Sequence, residues 1–183
     1  MKKFLALIMI ILIFMVYADK SDASQTWQPK MGENWIGINK EQLRLTLYNG
    51  QAPVKTWQIS IGKGKGKGPE KKSRFDLITP SGTFTIYRVV EDATKLVYDP
   101  AWFNEPGEPE AGVYGSKLIS FYNKWQIAIH GTNNPSSIGK WATHGCIRLR
   151  NRDIEELVKN VSPKMKLVIV EKDLKKKFYR ETI

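Results

Sequence analysis

The residues best suited to chemistry near neutral pH sit close together. Both histidines of the 183-residue chain, His130 and His144, and its one cysteine, Cys146, fall within I-H-G-T-N-N-P-S-S-I-G-K-W-A-T-H-G-C-I-R-L-R-N, Ile129 to Asn151. A thiol is nucleophilic as its thiolate, and with an ordinary pKa near ~8.5 it needs a neighbour to take its proton. Cys plus His is thus the smallest set for covalent acyl transfer. His130 precedes Cys146 by sixteen positions, a spacing that two adjacent β segments joined by a loop can close. Such a base also needs a group on its far ring nitrogen to fix tautomer and orientation. No Asp or Glu lies between Ile129 and Asn151, so a backbone carbonyl such as that of Gly131 is the candidate.

Gly145, just before the cysteine, permits a backbone geometry that exposes amides. The amides around His144, Gly145 and Cys146 are a candidate oxyanion hole. Arg148 lies two residues after the cysteine. On a strand it shares the face of Cys146, placed for a carboxylate or carbonyl; as a surface arginine it needs no function. Two other readings compete. His130, His144 and Cys146 match the three ligands of a catalytic zinc, but the H-x-C spacing is tight and no fourth ligand or Glu base is near. A free cysteine also packs as a small core hydrophobe between structural histidines.

The elements around this stretch read mainly as β. W-I-G-I-N from Trp35 and L-R-L-T-L-Y, Leu43 to Tyr48, alternate as half-buried strands do. Asn49-Gly50 signals a hairpin into V-K-T-W-Q-I-S-I, Val54 to Ile61. T-P-S-G-T-F-T-I-Y, from Thr79, begins as a turn and becomes a strand. Residues 98–112 fit no regular element and predict an ordered flap anchored by Trp102 and Phe103, or a packed surface excursion. K-L-I-S-F-Y and W-Q-I-A-I-H are two strands about Asn123-Lys124, the second ending on His130. A helix follows the cysteine, with Asn151 as N-cap, acids in its early turns, Ile154, Leu157, Val158 and Val161 on one face, and Pro163 as its stop. M-K-L-V-I-V, Met165 to Val170, is a closing strand. The fold class is mainly β, a barrel or sandwich with one prominent helix.

The N-terminus carries Lys2 and Lys3, then an uninterrupted apolar run from Phe4 to Tyr17, then small residues Ala18 and Ala23. This is the layout of a signal peptide, and the run is shorter than the roughly 20 residues that span a bilayer. Residues 1–23 are thus expected to be a signal peptide or an uncleaved anchor, and the domain is expected to be exported. Export makes the unpaired cysteine conspicuous. The net charge of +11 points to anionic partners. For an exported chain these are anionic wall polymers or lipid heads rather than nucleic acid, for which no aromatic-spaced basic motif is evident. G-K-G-K-G-K-G-P, residues 62–69, lacks the G-K-[ST] ending of a nucleotide loop. It reads as a solvated, flexible loop or as a cationic patch for wall polyanions.

The H-G-T-N sequence at His130, the polar loop, and T-H-G-C-I-R at Cys146 together resemble the L,D-transpeptidase catalytic domain of bacterial cell walls. T-P-S-G-T-F is similar to a second signature of that family. The resemblance covers about residues 35–171, leaving 24–34 as a lead-in and 172–183 as a basic tail. It implies a β-rich fold, Cys146 as nucleophile, His130 as general base, the Gly131 carbonyl orienting His130, and His144 with Gly145 shaping the oxyanion region. Arg148, Trp141 and Asn133 become substrate-binding candidates. The implied substrates are peptidoglycan tetrapeptide stems, from which D-Ala leaves through an acyl-enzyme before a 3→3 cross-link forms. No cofactor or metal is implied, and carbapenems are expected to inhibit covalently. With water as acceptor the same site is an L,D-carboxypeptidase. Some members have Asn two residues after the cysteine where this chain has Arg148. Sortase-like enzymes separate His and Cys much further, and papain-like peptidases place Cys first. A non-enzymatic basic wall-binding module is the remaining alternative.

Overall fold

A computed structural model describes residues 27–64, 70–174 and 178. The expected signal segment, residues 65–69 of the glycine–lysine run and most of the tail lie outside the described residues. The first hairpin forms where the alternation predicts it. Strand β1 (Asn34–Asn39) pairs antiparallel with β2 (Arg44–Asn49), which pairs with β3 (Ala52–Gln58). Gly50 turns between β2 and β3 at φ +55°, a backbone conformation cheap for glycine.

The remaining strands extend this sheet: β5 (Gly82–Val90), β8 (Leu118–Phe121), β9 (Ala128–His130), β11 (Ile147–Arg148) and β12 (Lys166–Val170). The order is β11-β9-β8-β5-β12-β1-β2-β3. Two pairings are parallel, β12 with β1 and β11 with β9. The run from Val54 to Ile61 is not one strand, as expected, but two. It leaves the sheet after Gln58, and β4 (Ile61–Gly62) pairs instead with β10 (Trp141–Thr143). Ser60 at the crossing exchanges backbone hydrogen bonds with Arg148 of β11, at 2.9 and 2.8 Å. The chain leaving one edge strand thereby reaches the other edge, which closes the sheet towards a barrel.

Ile36, Ile38, Leu45, Ile119, Ile129, Leu167 and Ile169 fill the interior from the sheet. Helix α1 (Asn151–Val158) covers it with the fully buried Ile154 and Leu157, two positions of the expected apolar stripe. Asn151 is not its N-cap: Arg150 occupies that position, without a side-chain cap. The Asn151 side chain instead accepts from the Thr132 and Ser116 amides at 2.8 and 3.3 Å. It therefore ties the helix start to the loop after His130.

Residues 98–112 are not devoid of regular structure either. Strand β6 (Val97–Tyr98), a 3₁₀ turn at Pro100–Phe103 and β7 (Glu110–Ala111) make a small two-stranded flap. At the opposite end of the chain order, Trp27 meets Trp35 edge-on at 5.6 Å, and Phe178 packs on both at 5.7 and 5.3 Å. The lead-in and this residue of the tail thus share one aromatic cluster.

Candidate active site

The parallel β9–β11 pair brings the chemistry together. His130 ends β9 opposite Arg148 of β11, with Ile129 opposite Ile147. Cys146 stands one residue before β11. Strand alternation puts Cys146 and Arg148 on one face, the face that also carries His130. All three line one cleft of about 820 Å³. The Ala128 amide donates to the Cys146 sulfur, favouring the thiolate, as do the charges of Arg148 and Lys71; burial outweighs them and pushes the thiol pKa up.

His130 is buried, with 2% of its surface exposed. Its Nδ1 lies 2.6 Å from the Gly131 carbonyl oxygen. A carbonyl only accepts, so Nδ1 carries the proton and Nε2 keeps a lone pair for the thiol. The Tyr114 ring meets the imidazole edge-on at 5.1 Å. Burial, helped by the positive Arg148, holds the His130 pKa down at about 4, against backbone contacts with Gly131 and Tyr114 that favour the cation. Burial thus disfavours the charged form of both side chains.

The H-G-C turn is pinned from two sides by threonines whose part is invisible in the sequence. Thr79 of T-P-S-G donates to the Gly145 carbonyl at 2.7 Å and accepts from the Gly62 amide at 2.9 Å. Thr143 donates to the Cys146 carbonyl at 2.6 Å and accepts the Gly145 amide at 3.1 Å. The Gly145 amide is therefore already committed. Gly145 has φ +130°, and a Cβ there would stand 2.9 Å from the Ile78 carbonyl, so both conformation and space call for glycine. The T-P-S-G turn is itself anchored by Lys40, whose buried Nζ donates to the Thr79 carbonyl at 2.7 Å and pairs with Glu171.

His144 lines the same cleft and is held by the flap. Its Nε2 is 2.9 Å from Glu105 Oε1, its Nδ1 is 3.4 Å from the Tyr98 hydroxyl, and its ring stacks on Phe103 at 4.3 Å. Lys63 holds the same Glu105 oxygen at 3.1 Å. These bonds, first to His144 and then to Lys63, keep the Glu105 carboxyl below the usual carboxylate range. No carboxylate lies inside the central stretch, but the flap delivers one to the second histidine.

Arg148 stands at the cleft wall. Its Nη1 donates to Ser137 Oγ at 2.9 Å, while its buried Nε has no partner among the described residues. Two expected substrate contacts do not line this cleft. Asn133 turns outward and donates to Glu110 of β7 at 2.9 Å. Trp141 packs partly buried against the core from β10.

Comparison with known proteins agrees with this geometry. The profile of the YkuD family, described as the L,D-transpeptidase catalytic domain, matches residues 33–170. YkuD of Bacillus licheniformis, named an L,D-transpeptidase, is 35% identical over 122 residues, 67% of this chain and 55% of that protein. YbiS of Escherichia coli K12, named likewise, is 28% identical over 144 residues, 76% of this chain and 45% of that protein. The chain thus spans about half the length of these relatives. L,D-transpeptidase 3 of Mycobacterium tuberculosis, solved with a faropenem-derived adduct, superposes with a TM-score of 0.56 at 15% identity, covering 75% of this chain and 60% of that one. By its sequence match, its fold and the placement of its H-G-C turn, the chain belongs to the YkuD family of L,D-transpeptidase catalytic domains.

Proposed function

We propose that this domain is an exported cysteine transpeptidase acting on peptidoglycan tetrapeptide stems. The observation that carries the reading is the buried His130, fixed by the Gly131 carbonyl, sharing a cleft with Cys146 at the start of the adjoining strand. The Cys146 proton passes to His130 Nε2 as the sulfur attacks the carbonyl between the diamino acid and the terminal D-Ala. The C–N bond breaks, and the imidazolium returns its proton to the departing D-Ala amine. An amine from a neighbouring stem then attacks the thioester and loses a proton to His130, the C–S bond breaks, and His130 hands that proton to the departing sulfur, leaving a 3→3 cross-link and the free thiol. Water in place of the amine gives trimming. The Gly145 amide is engaged by Thr143, so the Cys146 amide is the oxyanion donor in this scheme, with Gly145 and His144 shaping the turn. Arg148, with an unpartnered Nε in the cleft wall, meets a substrate carboxylate or carbonyl. Anionic wall polymers are further partners.

Incubation with a carbapenem, read by intact mass, tests the nucleophile. One covalent adduct is expected in the wild type and none in Cys146→Ala. Defined disaccharide-tetrapeptides should release D-Ala and give dimers. No adduct and no D-Ala release would favour a wall-binding module without catalysis.

A further inference from the structure

The cleft extends beyond the reacting residues to a pair of exposed tyrosines. Tyr87 and Tyr122 line it, yet are 45% and 66% exposed. Their rings lie against one another in a tilted stack, centroids 4.7 Å apart and planes 33° apart. Two large aromatic side chains left this exposed together are a cost to solubility that a domain ordinarily avoids without a use.

The backbone builds the pair. In the β5–β8 ladder Ile86 faces Phe121 and Arg88 faces Ser120, so Tyr87 is the extra residue of a bulge. A bulge re-aims a side chain; here it sets Tyr87 beside Tyr122, whose amide continues the ladder to the Thr85 carbonyl at 2.9 Å. The turn after Tyr122 is fastened by Asn123. Its Nδ2 donates to the Phe121 and Ile127 carbonyls at 2.9 and 2.8 Å, and its Oδ1 accepts the Trp125 and Ile127 amides, each at 3.0 Å. All the bonding capacity of that amide goes to holding the turn. The platform is therefore preorganised, which lowers the entropy cost of binding.

We propose that Tyr87 and Tyr122 form a saccharide platform that seats the N-acetylhexosamine strand carrying the stem peptide. This rests on the reading of the cleft as a stem-peptide site. A stem in the cleft is covalently joined to its glycan, so the strand must pass over one border of the cleft. An aromatic face is electron-rich, matching the weakly positive C–H face of a pyranose ring. The phenol hydroxyls, and the Gln126 amide that also lines the cleft, offer hydrogen bonds to ring hydroxyls and acetamido groups.

The test compares a disaccharide-tetrapeptide with the same tetrapeptide lacking sugar, in wild type, Tyr122→Ala, Tyr87→Ala and Tyr122→Trp. The wild type is expected to show a lower KM for the disaccharide substrate. Each alanine variant should raise that KM roughly three- to tenfold while leaving kcat and the sugar-free KM unchanged, and Tyr122→Trp should restore it. Direct titration with an N-acetylglucosamine oligomer, followed by tryptophan and tyrosine fluorescence, should show binding that Tyr122→Ala weakens. Equal wild-type KM values for the two substrates would overturn the proposal. So would an equal loss on the sugar-free stem, which would make the platform a peptide site. If neither substrate turns over, the stem-peptide reading has failed, and oligomer binding alone then decides for or against the platform.

Discussion

At the scale of single residues the site is set by burial working against charge. Cys146 is pushed up by desolvation although Arg148, Lys71 and the Ala128 amide favour its thiolate. His130 is held down at about 4. A base must be neutral to work, so the acid limb of kcat/KM, which reports the free enzyme, is expected at about pH 4 rather than near the ordinary histidine value. A limb at 6.5 would show a solvated imidazole. The sign for stability follows from the same shift. Between the unfolded value of 6.5 and about 4, the unfolded chain binds a proton that the folded chain does not. Stability at His130 is thus full above 6.5 and falls as pH drops through that window. His130→Gln should abolish acylation and flatten this part of the pH–stability curve, measured by urea unfolding at pH 5 and 7. The candidate nucleophile and base were legible in the sequence because few residues do thiol chemistry and all lay within one stretch. Thr79 and Thr143 were not, since a threonine hydroxyl pinning a carbonyl leaves no compositional mark.

At the scale of elements the flap and the H-G-C turn act as one unit through His144. Glu105, Phe103 and Tyr98 all bear on its ring, and Lys63 holds Glu105 from the β4 side. Removing either half of one contact should cost the same thing, so Glu105→Ala and His144→Ala are expected to be non-additive. Each should raise KM for a tetrapeptide stem several-fold, by about the worth of a charge-assisted hydrogen bond, with kcat little changed and proteolysis within residues 97–111 accelerated. Additive losses, or a His144→Ala defect as complete as Cys146→Ala, would give His144 a part in the chemistry itself. This docking was hidden because Glu105 and His144 are 39 positions apart. Local strand pattern, by contrast, showed β1, β2, β8 and β12 within a residue or so, and the helix by its apolar stripe. Asn151 looked like a cap because Asn is a good one; tertiary structure uses its oxygen to hold Thr132 and Ser116 instead.

At the scale of the whole molecule, what decides the fold is pairing between distant segments: β1 with β12, β9 with β11, and Ser60 with Arg148. Alternation names a strand but carries no information about its partner, so closure of the barrel could not be read beforehand. Net charge is likewise a whole-molecule property, and it concerns encounter rather than fold. The excess of 29 Lys and Arg over 18 Asp and Glu would favour association with a polyanionic wall if the domain is exported as proposed. Lys65 and Lys67 lie in the glycine–lysine run beside β4, whose Lys63 already serves Glu105. If the run is the wall contact, Lys65→Gln with Lys67→Gln should weaken adsorption to isolated cell walls at low salt. The difference should vanish above ~0.5 M salt, where exposed charges a few ångströms apart are screened. Acylation of Cys146 by a carbapenem, a small soluble reagent, should be unchanged in the same variant, because such a reagent needs no adsorption to reach the thiol. Sedimentation with purified walls across a salt series measures the first, and intact mass the second. Adsorption that ignores both the substitutions and the salt would remove charge from the account of how this domain finds its substrate.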